Sequence, residues 1–255
     1  MKSAIVVIGI GEMGSVFARG FLRNGHPVHP ITRSDNIAAV ASKIPEPELV
    51  LVAVAEGDLH PTLEQIPNAW RNKLALLQNE LLPRDWQQHR LEQPTVISVW
   101  FEKKKGQDSK VIIPSPVLGP HAALIKEGLE SIDIACNLLN NDDELLYELV
   151  RKNVYILTSN IAGIVTGGNV GELWAEHREF ATAVANEIID IQEHLTATTL
   201  PRQQLIDGMV EAFDGDRDHK CMGRSAPARL ARALALATEA GIDTPTLKEI
   251  AATQG

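Results

Sequence analysis

The sequence has few of the features that define several broad classes of protein. It contains only two cysteines in 255 residues, Cys136 and Cys221. They lie far apart and match no metal-ligand spacing, and two reduced thiols are favoured over a disulfide between them. No apolar run approaches the ~18 residues that span a bilayer. The apolar run near the N-terminus is too short for a signal peptide and leads into a glycine loop. We therefore expect a cytoplasmic protein with no membrane partner.

Positive charge is also scarce. Lysine and arginine together number 24 against 33 acidic residues, which gives a net charge of −9. A nucleic-acid-binding protein needs a concentrated basic surface, so this charge argues against nucleic acid as a partner. The eight histidines show no H-E-x-x-H or similar spacing, and no G-x-S-x-G is present. Neither a metal site nor a serine-hydrolase nucleophile is predicted.

The first half of the chain alternates short, β-branched apolar runs with helical stretches. Nearly continuous apolar runs are typical of parallel strands that are covered on both faces. The pattern predicts a doubly wound, Rossmann-type α/β domain over residues 1–130. The predicted strands are Ala4–Ile10, Pro27–Thr32, Glu48–Ala55, Leu74–Asn79 and Thr95–Phe101.

The second half has a helical pattern. The segment "DDELLYELVRKNVYILTSNIAGIV" begins with acidic residues, which suit a helix N-terminus, and contains no Pro or Gly before Gly163. Further helices are predicted at Gly171–Leu195, Arg202–Phe213 and Ala228–Ala240, the last followed by Gly241 as a C-cap. The sequence therefore predicts an all-helical domain over residues 135–255, for substrate binding or dimerisation.

The segment "VVIGIGEMGSVFARG" places a G-x-G-x-x-G motif where the first strand passes into a helix. In that context Gly9 makes the turn, Gly11 lets a pyrophosphate approach the backbone, and Gly14 lets helix and strand pack closely. The alternative is an ordinary tight turn, but the strand–loop–helix context favours dinucleotide binding. The predicted phosphate-binding set also includes three residues between the glycines: Ile10, Glu12 and Met13.

The end of the second strand bears on the choice of dinucleotide. An NAD site usually carries an acidic residue there, to bind the ribose 2′-hydroxyl. Here the strand ends "ITRSD", with Arg33 in that place and Ser34 beside it, and both are predicted to bind the cofactor. A guanidinium suits a 2′-phosphate, so the sequence favours NADP. NAD stays open, because Asp35 follows closely and Arg33 is otherwise a surface residue.

The sequence resembles the ketopantoate reductases over most of its length. The opening "GIGEMGSVFARGFLRNGHPVHPITR", the strand end "LLQNELLP", the helix "RKNVYILTSNIAGIVTG" and the late "LARALALATEAGIDTPTLKEI" carry the resemblance. It implies that Asn79 lies near the nicotinamide and substrate, that Lys152 is catalytic and that Asn160 binds substrate. The pattern alone favours other interpretations: a turn residue for Asn79, a lysine that snorkels to water, and an asparagine that bonds along its own helix.

Several positions depart from the family pattern. Ile156 stands where the family has a second asparagine, and Ala55 where it commonly has a lysine. Counting back from Gly241 places Ser225 where an acidic residue is expected. Nearby Arg224 is a candidate replacement anchor for a substrate carboxylate. The part of the family pattern that binds the cofactor is therefore intact, and the part that binds the substrate is partly changed.

The resemblance implies an NADPH-dependent reductase of a small 2-oxo acid, which acts as a monomer or homodimer with its substrate in a cleft between the two domains. A lysine of lowered pKa is suited to protonate the carbonyl oxygen as hydride arrives from the cofactor. Two alternatives remain open. One is a regulatory NADP-binding protein without turnover. The other is an enzyme of a neighbouring family, such as the 3-hydroxy acid dehydrogenases.

Overall fold

The computed structural model describes residues 2–254. Contacts within the chain divide it into two compact units, Met1–Leu149 and Val150–Gly255. The outermost residues of the two predicted domains, Met1 and Gly255, lie outside the described range.

The first unit is built on a seven-stranded sheet in the order β2-β1-β3-β4-β5-β8-β9. Neighbouring strands from β2 to β5 pair in parallel, which confirms the predicted doubly wound sheet. Among residues 2–149, the strands, which include a separate two-stranded pair, are β1 (Ile5–Ile8), β2 (Val28–Ile31), β3 (Leu49–Val52), β4 (Leu74–Leu76), β5 (Thr95–Ile97), β6 (Phe101–Glu102), β7 (Lys110–Val111), β8 (Ser115–Leu118) and β9 (Cys136–Leu138).

Helices cover both faces of this sheet. They are α1 (Glu12–Arg23), α2 (Ile37–Lys43), α3 (Leu59–Glu64), α4 (Pro83–Gln87) and α5 (Ala122–Glu130), with short 3₁₀ turns at Glu56–Asp58 and Asn68–Lys73. One apolar cluster lies between the sheet and α1 with α5, and includes Phe17, Phe21 and Ile125. A second cluster, on the opposite face, includes Trp70 and Trp86. Strands β1 and β3 are buried along their whole length, because both of their faces are covered.

The sheet differs from the prediction at its far edge. The predicted strand Thr95–Phe101 is divided, because β5 ends at Ile97 and β6 pairs with β7 in the separate two-stranded sheet. Strand β8 runs antiparallel to β5, and β9 pairs in parallel with β8. Neither β8 nor β9 was predicted, since the former contains a proline and the latter is short and half-exposed.

The second unit is helical, as predicted. Its first helix, α6 (Asp142–Thr166), begins within the first unit. Asn141 Oδ1 accepts a hydrogen bond from the Glu144 backbone N–H at 2.9 Å, which caps the acidic N-terminus of α6. The remaining helices are α7 (Val170–Glu176), α8 (Arg178–Thr196), α9 (Arg202–Gly215), α10 (Ala226–Ala240) and α11 (Pro245–Ala252).

Two boundaries of this half differ from the predicted ones. The predicted second domain begins at residue 135, whereas the units divide between Leu149 and Val150. The reason is that β9 belongs to the sheet and that Leu145 and Leu149 of α6 pack in the second apolar cluster. The single helix predicted at Gly171–Leu195 is two helices, separated at His177.

The end of α10 follows the prediction. Gly241 is the C-cap and adopts a left-handed conformation with φ of 68°, which a residue without a Cβ accepts at little cost. Among the described residues, none of the helices is both long and apolar enough to span a membrane.

A close approach between two glycines controls the packing of α1 on α5. A Cβ added at Gly20 would lie 2.3 Å from the backbone oxygen of Gly128. We expect Gly20→Ala to lower the free energy of unfolding by about 1–3 kcal/mol, because neither backbone can yield without separating the helices. Gly57→Ala is the matched control, since a Cβ there meets no described atom within 4 Å. Equal midpoints for both variants in urea unfolding would contradict this expectation.

Candidate functional site

The sheet of the first unit has its topological switch point between β1 and β3. Strand β1 has β2 on one side and β3 on the other, so the chain leaves these strands in opposite directions. Ligands of open α/β sheets bind at such a point, beyond the carboxyl ends of the strands. A cavity of about 670 Å³ lies there, lined by Gly9 and Gly11 after β1, by Arg33 after β2, and by Ala55 and Asp58 after β3.

The three motif glycines lie where β1 passes into α1, and they differ in the space around them. Gly9 has φ of 90°, and a Cβ there would lie 2.5 Å from the Ala53 backbone oxygen. A Cβ at Gly14 would lie 2.0 Å from the Gly9 oxygen, so Gly14 brings α1 against the loop. Gly11 differs from both, because a Cβ there meets no described atom within 4 Å. Gly9 and Gly14 therefore shape the loop, while Gly11 leaves open space beside it.

That open space lies at the N-terminus of α1. Gly11 is the N-cap of this helix, and a glycine has no side chain to satisfy the first helical N–H groups. Such groups, with the positive end of the helix dipole, bind phosphate. The loop and cavity therefore fit the pyrophosphate of a nicotinamide dinucleotide.

The other predicted members of the phosphate-binding set are placed differently. Ile10 lines the cavity and is 38% exposed. Glu12 lies in the first turn of α1, where its carboxylate is 3.5 Å from Lys103 Nζ. Met13 packs against the apolar cluster beneath α1. Of the three, Ile10 is the one that borders the cavity, and direct contact with a phosphate stays a prediction for all of them.

The ribose end of the cavity carries charges of both signs. Arg33 Nη2 donates to Asp58 Oδ2 at 3.1 Å. The carboxylate of Asp35 accepts from the Thr32 backbone N–H at 2.7 Å and from Thr32 Oγ1 at 2.6 Å. These hydrogen bonds lower the pKa of Asp35. Ser34 Oγ lies 2.9 Å from Thr32 Oγ1, is exposed, and is not among the residues that line the cavity.

Asn79 lies at the same edge of the sheet, after β4. Its Nδ2 donates to Glu56 Oε1, in the turn after β3, at 3.2 Å. The neighbouring Gln78 is buried, and its Nε2 donates to the backbone oxygens of Val52 and Val54 at 2.8 and 3.2 Å. Glu80 then has a left-handed φ of 59°, which is unusual for a residue with a side chain. Asn79 is thus held at the carboxyl edge, and its contact with cofactor or substrate stays a prediction.

The second unit contains the predicted catalytic lysine in a polar group on α6. Lys152 is partly buried, and its Nζ lies 5.7 Å from the centre of the Tyr155 ring. Burial lowers the pKa of Lys152 from 10.5 to about 7, and the nearby Arg229 guanidinium adds to that shift. A lysine of this pKa exists in both protonation states near neutral pH, which is the property of a proton donor in catalysis.

Asn160 lies two turns further along α6 and is buried. Its Oδ1 accepts from Arg229 Nη1 at 2.6 Å, and its Nδ2 donates to the Cys221 backbone oxygen at 3.0 Å. The amide therefore connects α6 to α10 and to the loop before α10. Both ends of the amide have partners within the second unit, so Asn160 holds the Arg229 side chain in place.

Arg229 is a residue that the sequence analysis missed. It is 9% exposed and belongs to the buried stripe of α10, together with Ala226, Leu230 and Ala233. The signal that identifies it is a single arginine at helical spacing within an otherwise apolar face. Charged side chains are rarely buried unless they are paired or functional. Arg224, the anchor considered from the sequence, is exposed in the preceding loop.

The three positions that depart from the family pattern lie in different surroundings. Ile156 is buried on α6 and contributes an apolar side chain. Ser225 is the exposed N-cap of α10. Ala55 lines the cavity in the first unit, as does Asp58 three residues later.

Comparisons with known proteins show similarity at the level of structure. No protein-family model matches the chain, and no curated protein matches its sequence. A 2-dehydropantoate 2-reductase from Methylococcus capsulatus matches with a TM-score of 0.71 at 13% identity, over 98% of this chain and 95% of the other. A dimeric ketopantoate reductase from Staphylococcus aureus matches with a TM-score of 0.67 at 14% identity, over 97% and 96%.

A third solved structure, a D-mandelate dehydrogenase in complex with NADH, matches with a TM-score of 0.68 at 15% identity, over 97% of this chain and 96% of the other. Each match covers nearly the whole of both chains, although few residues are identical. These matches confirm the fold that the resemblance implies: the chain has the architecture of the solved ketopantoate reductases from end to end.

Proposed function

We propose that this protein is an NADPH-dependent reductase of small 2-oxo acids, a divergent relative of the ketopantoate reductases. The structural neighbours are described as reductases of 2-dehydropantoate or as a D-mandelate dehydrogenase, and these substrates share a 2-oxo or 2-hydroxy acid group. The observation that carries the proposal is the polar group on α6 and α10, in which Arg229 bonds the buried Asn160 and its charge contributes to the lowered pKa of Lys152.

The proposed reaction adds one hydride and one proton to the carbonyl group of a ketone. When bound, a nicotinamide cofactor would supply the hydride for the carbonyl carbon. Lys152, in its ammonium form, donates a proton from Nζ to the carbonyl oxygen as negative charge grows there, and becomes neutral. A pKa of about 7 makes this transfer favourable while leaving a large fraction of the lysine protonated at neutral pH.

Arg229 is suited to the second charged group of the substrate. A 2-oxo acid carries its carboxylate on the carbon next to the ketone, so a proton donor and a carboxylate partner are needed close together. Arg229 is held against α6 by its bond to Asn160, and its charge contributes to the lowered pKa of Lys152. A guanidinium binds a carboxylate through parallel hydrogen bonds. In this proposal Asn160 is a positioning residue that orients Arg229.

One observation favours a second candidate, a nicotinamide-nucleotide-binding protein without turnover. Two positions lack the group that the family pattern has there. Ile156 is a buried apolar residue in place of an asparagine, and Ser225 is an exposed, uncharged residue at a helix start in place of an acidic one. A protein of this kind would bind NADPH through the loop after β1 and leave keto acids unchanged.

Turnover separates the two candidates. We expect NADPH to be oxidised in the presence of one or more members of a panel of small 2-oxo acids, followed by the loss of reduced-nicotinamide absorbance. Arg33→Ala should weaken NADPH binding by about 10- to 100-fold and leave NADH binding unchanged, because the lost hydrogen bonds are made to a charged phosphate.

Arg84→Ala is the control for that substitution, because Arg84 is an exposed arginine of α4 that does not line the cavity. Binding of NADPH without oxidation by any acid in the panel would favour the second candidate. Absence of binding by either coenzyme would overturn both.

A further inference from the structure

The ribose end of the cavity contains an ion pair whose two members favour opposite coenzymes. Arg33 and Asp58 both line the cavity, and their side chains are joined at 3.1 Å. Arg33 follows β2 and Asp58 lies in the turn after β3. The strand order places these turns on either side of the loop after β1. The pair therefore stands where the 2′ position of the adenosine ribose is expected.

A second carboxylate in this region, that of Asp35, is hydrogen-bonded to Thr32 and not to Arg33. Its Oδ2 accepts from both the backbone N–H and the hydroxyl of Thr32. These bonds fix the turn after β2 and hold the carboxylate in its ionised form. Among the described residues that line the cavity, Asp58 is the acid that bonds Arg33.

We propose that Asp58 is a specificity-determining residue that opposes the 2′-phosphate and so moderates the preference for NADPH. The inference rests on the proposed function, because it concerns the same cofactor site. To bond the Arg33 guanidinium, a 2′-phosphate must replace Asp58 as its partner. The phosphate then lies beside the Asp58 carboxylate, which repels it. A 2′-hydroxyl carries no charge and can donate to the same carboxylate, as acidic residues do in NAD sites.

The ion pair has little structural importance of its own. The Arg33 side chain is 94% exposed and that of Asp58 is 52% exposed, and exposed pairs contribute little to stability. The structural bond of Asp58 is made by its backbone oxygen, which accepts from Thr62 Oγ1 at 2.7 Å. Asparagine keeps that backbone bond and nearly the same side-chain shape, so Asp58→Asn removes the charge alone.

The experiment compares coenzyme selectivity, defined as the Kd of NADH divided by the Kd of NADPH, in the full chain. The Kd values come from titrations that follow the fluorescence of the reduced nicotinamide. We expect Asp58→Asn to raise this ratio by about tenfold at low salt, through tighter binding of NADPH. Because the Arg33–Asp58 pair is solvent-exposed, the gain should shrink as salt is added. Adenosine 2′-monophosphate should show the same gain and adenosine should not.

Glu64→Gln is the matched control, because Glu64 is an exposed acid at the end of α3 that does not line the cavity. In an Arg33→Ala background, Asp58→Asn should still raise the selectivity for NADPH, because Asp58 repels the 2′-phosphate whether or not Arg33 is present. An unchanged or lower selectivity in Asp58→Asn, with normal NADPH binding to the unsubstituted protein, would overturn this inference and leave the proposed function standing. Failure of the unsubstituted protein to bind either coenzyme would overturn the proposed function itself.

Discussion

Replacing Lys152 with methionine is expected to slow keto acid reduction by about 10²- to 10⁴-fold, the usual contribution of a positioned proton donor. Methionine keeps the length and much of the apolar contact of the lysine stem and removes its proton. The binding of NADPH should be unchanged, because the phosphate loop, with Gly9 and Gly11, belongs to the other unit. Steady-state turnover and the coenzyme titration measure these two effects separately.

The pH dependence gives an independent test of the same role. Reduction needs the ammonium form of Lys152, whose pKa is about 7. For reduction, kcat/KM should therefore be level below pH 7 and fall about tenfold for each pH unit above it. Oxidation of the 2-hydroxy acid needs the neutral amine, so its kcat/KM should rise up to about pH 7 and then level off.

Two further variants show whether the lysine acts as an acid or only as a packed side chain. Lys248→Met removes an exposed lysine of the same unit, paired with Asp243, and should leave both turnover and the pH profile unchanged. Arg229→Gln should move the falling limb of reduction to higher pH, because the guanidinium lowers the pKa of Lys152. Near-normal turnover in Lys152→Met would remove this residue from the mechanism.

The sheet around the cofactor cavity was predictable because its strands have a strong sequence signal. Strands β1 and β3 are uninterrupted β-branched and leucine runs, buried on both faces. The glycine loop follows β1 directly, so a dinucleotide-binding role could be predicted from its spacing. Strands β8 and β9 lack this signal. They form because antiparallel pairing with β5 and parallel pairing with β8 satisfy their backbones, and such pairing is a tertiary effect.

The residues that the sequence analysis missed depend on tertiary neighbours in the same way. Asp58 is 25 residues from Arg33 along the chain and meets it only because β2, β1 and β3 are adjacent. Arg229 is 69 residues from Asn160, and the packing that joins their helices is not encoded in either segment alone. Lys152 and Asn160 were found through a resemblance, whereas their shared partner Arg229 occupies a position that the resemblance does not mark.

Lys152 should also make the protein less stable than a methionine variant, by an amount that depends on pH. The ordinary pKa of 10.5 applies in the unfolded chain, and the folded pKa is about 7. The unfolded state therefore binds more protons between pH 7 and 10.5, so the stability of the unsubstituted protein rises with pH across this range. Below pH 7 both states are protonated, and the cost of the buried charge is fully present, on the order of 5 kcal/mol.

We therefore expect Lys152→Met to raise the midpoint of thermal unfolding by several degrees at pH 6. At pH 9 the gain should fall to about half. The folded lysine is then neutral, and the remaining cost is that of keeping it neutral while the unfolded lysine is still protonated. Lys248→Met should show no such gain at either pH, because that side chain is exposed. An equal gain at both pH values would mean that improved packing, and not a buried charge, stabilises the variant. Lower activity together with higher stability in one substitution is the result expected of a buried ionisable group retained for its chemistry.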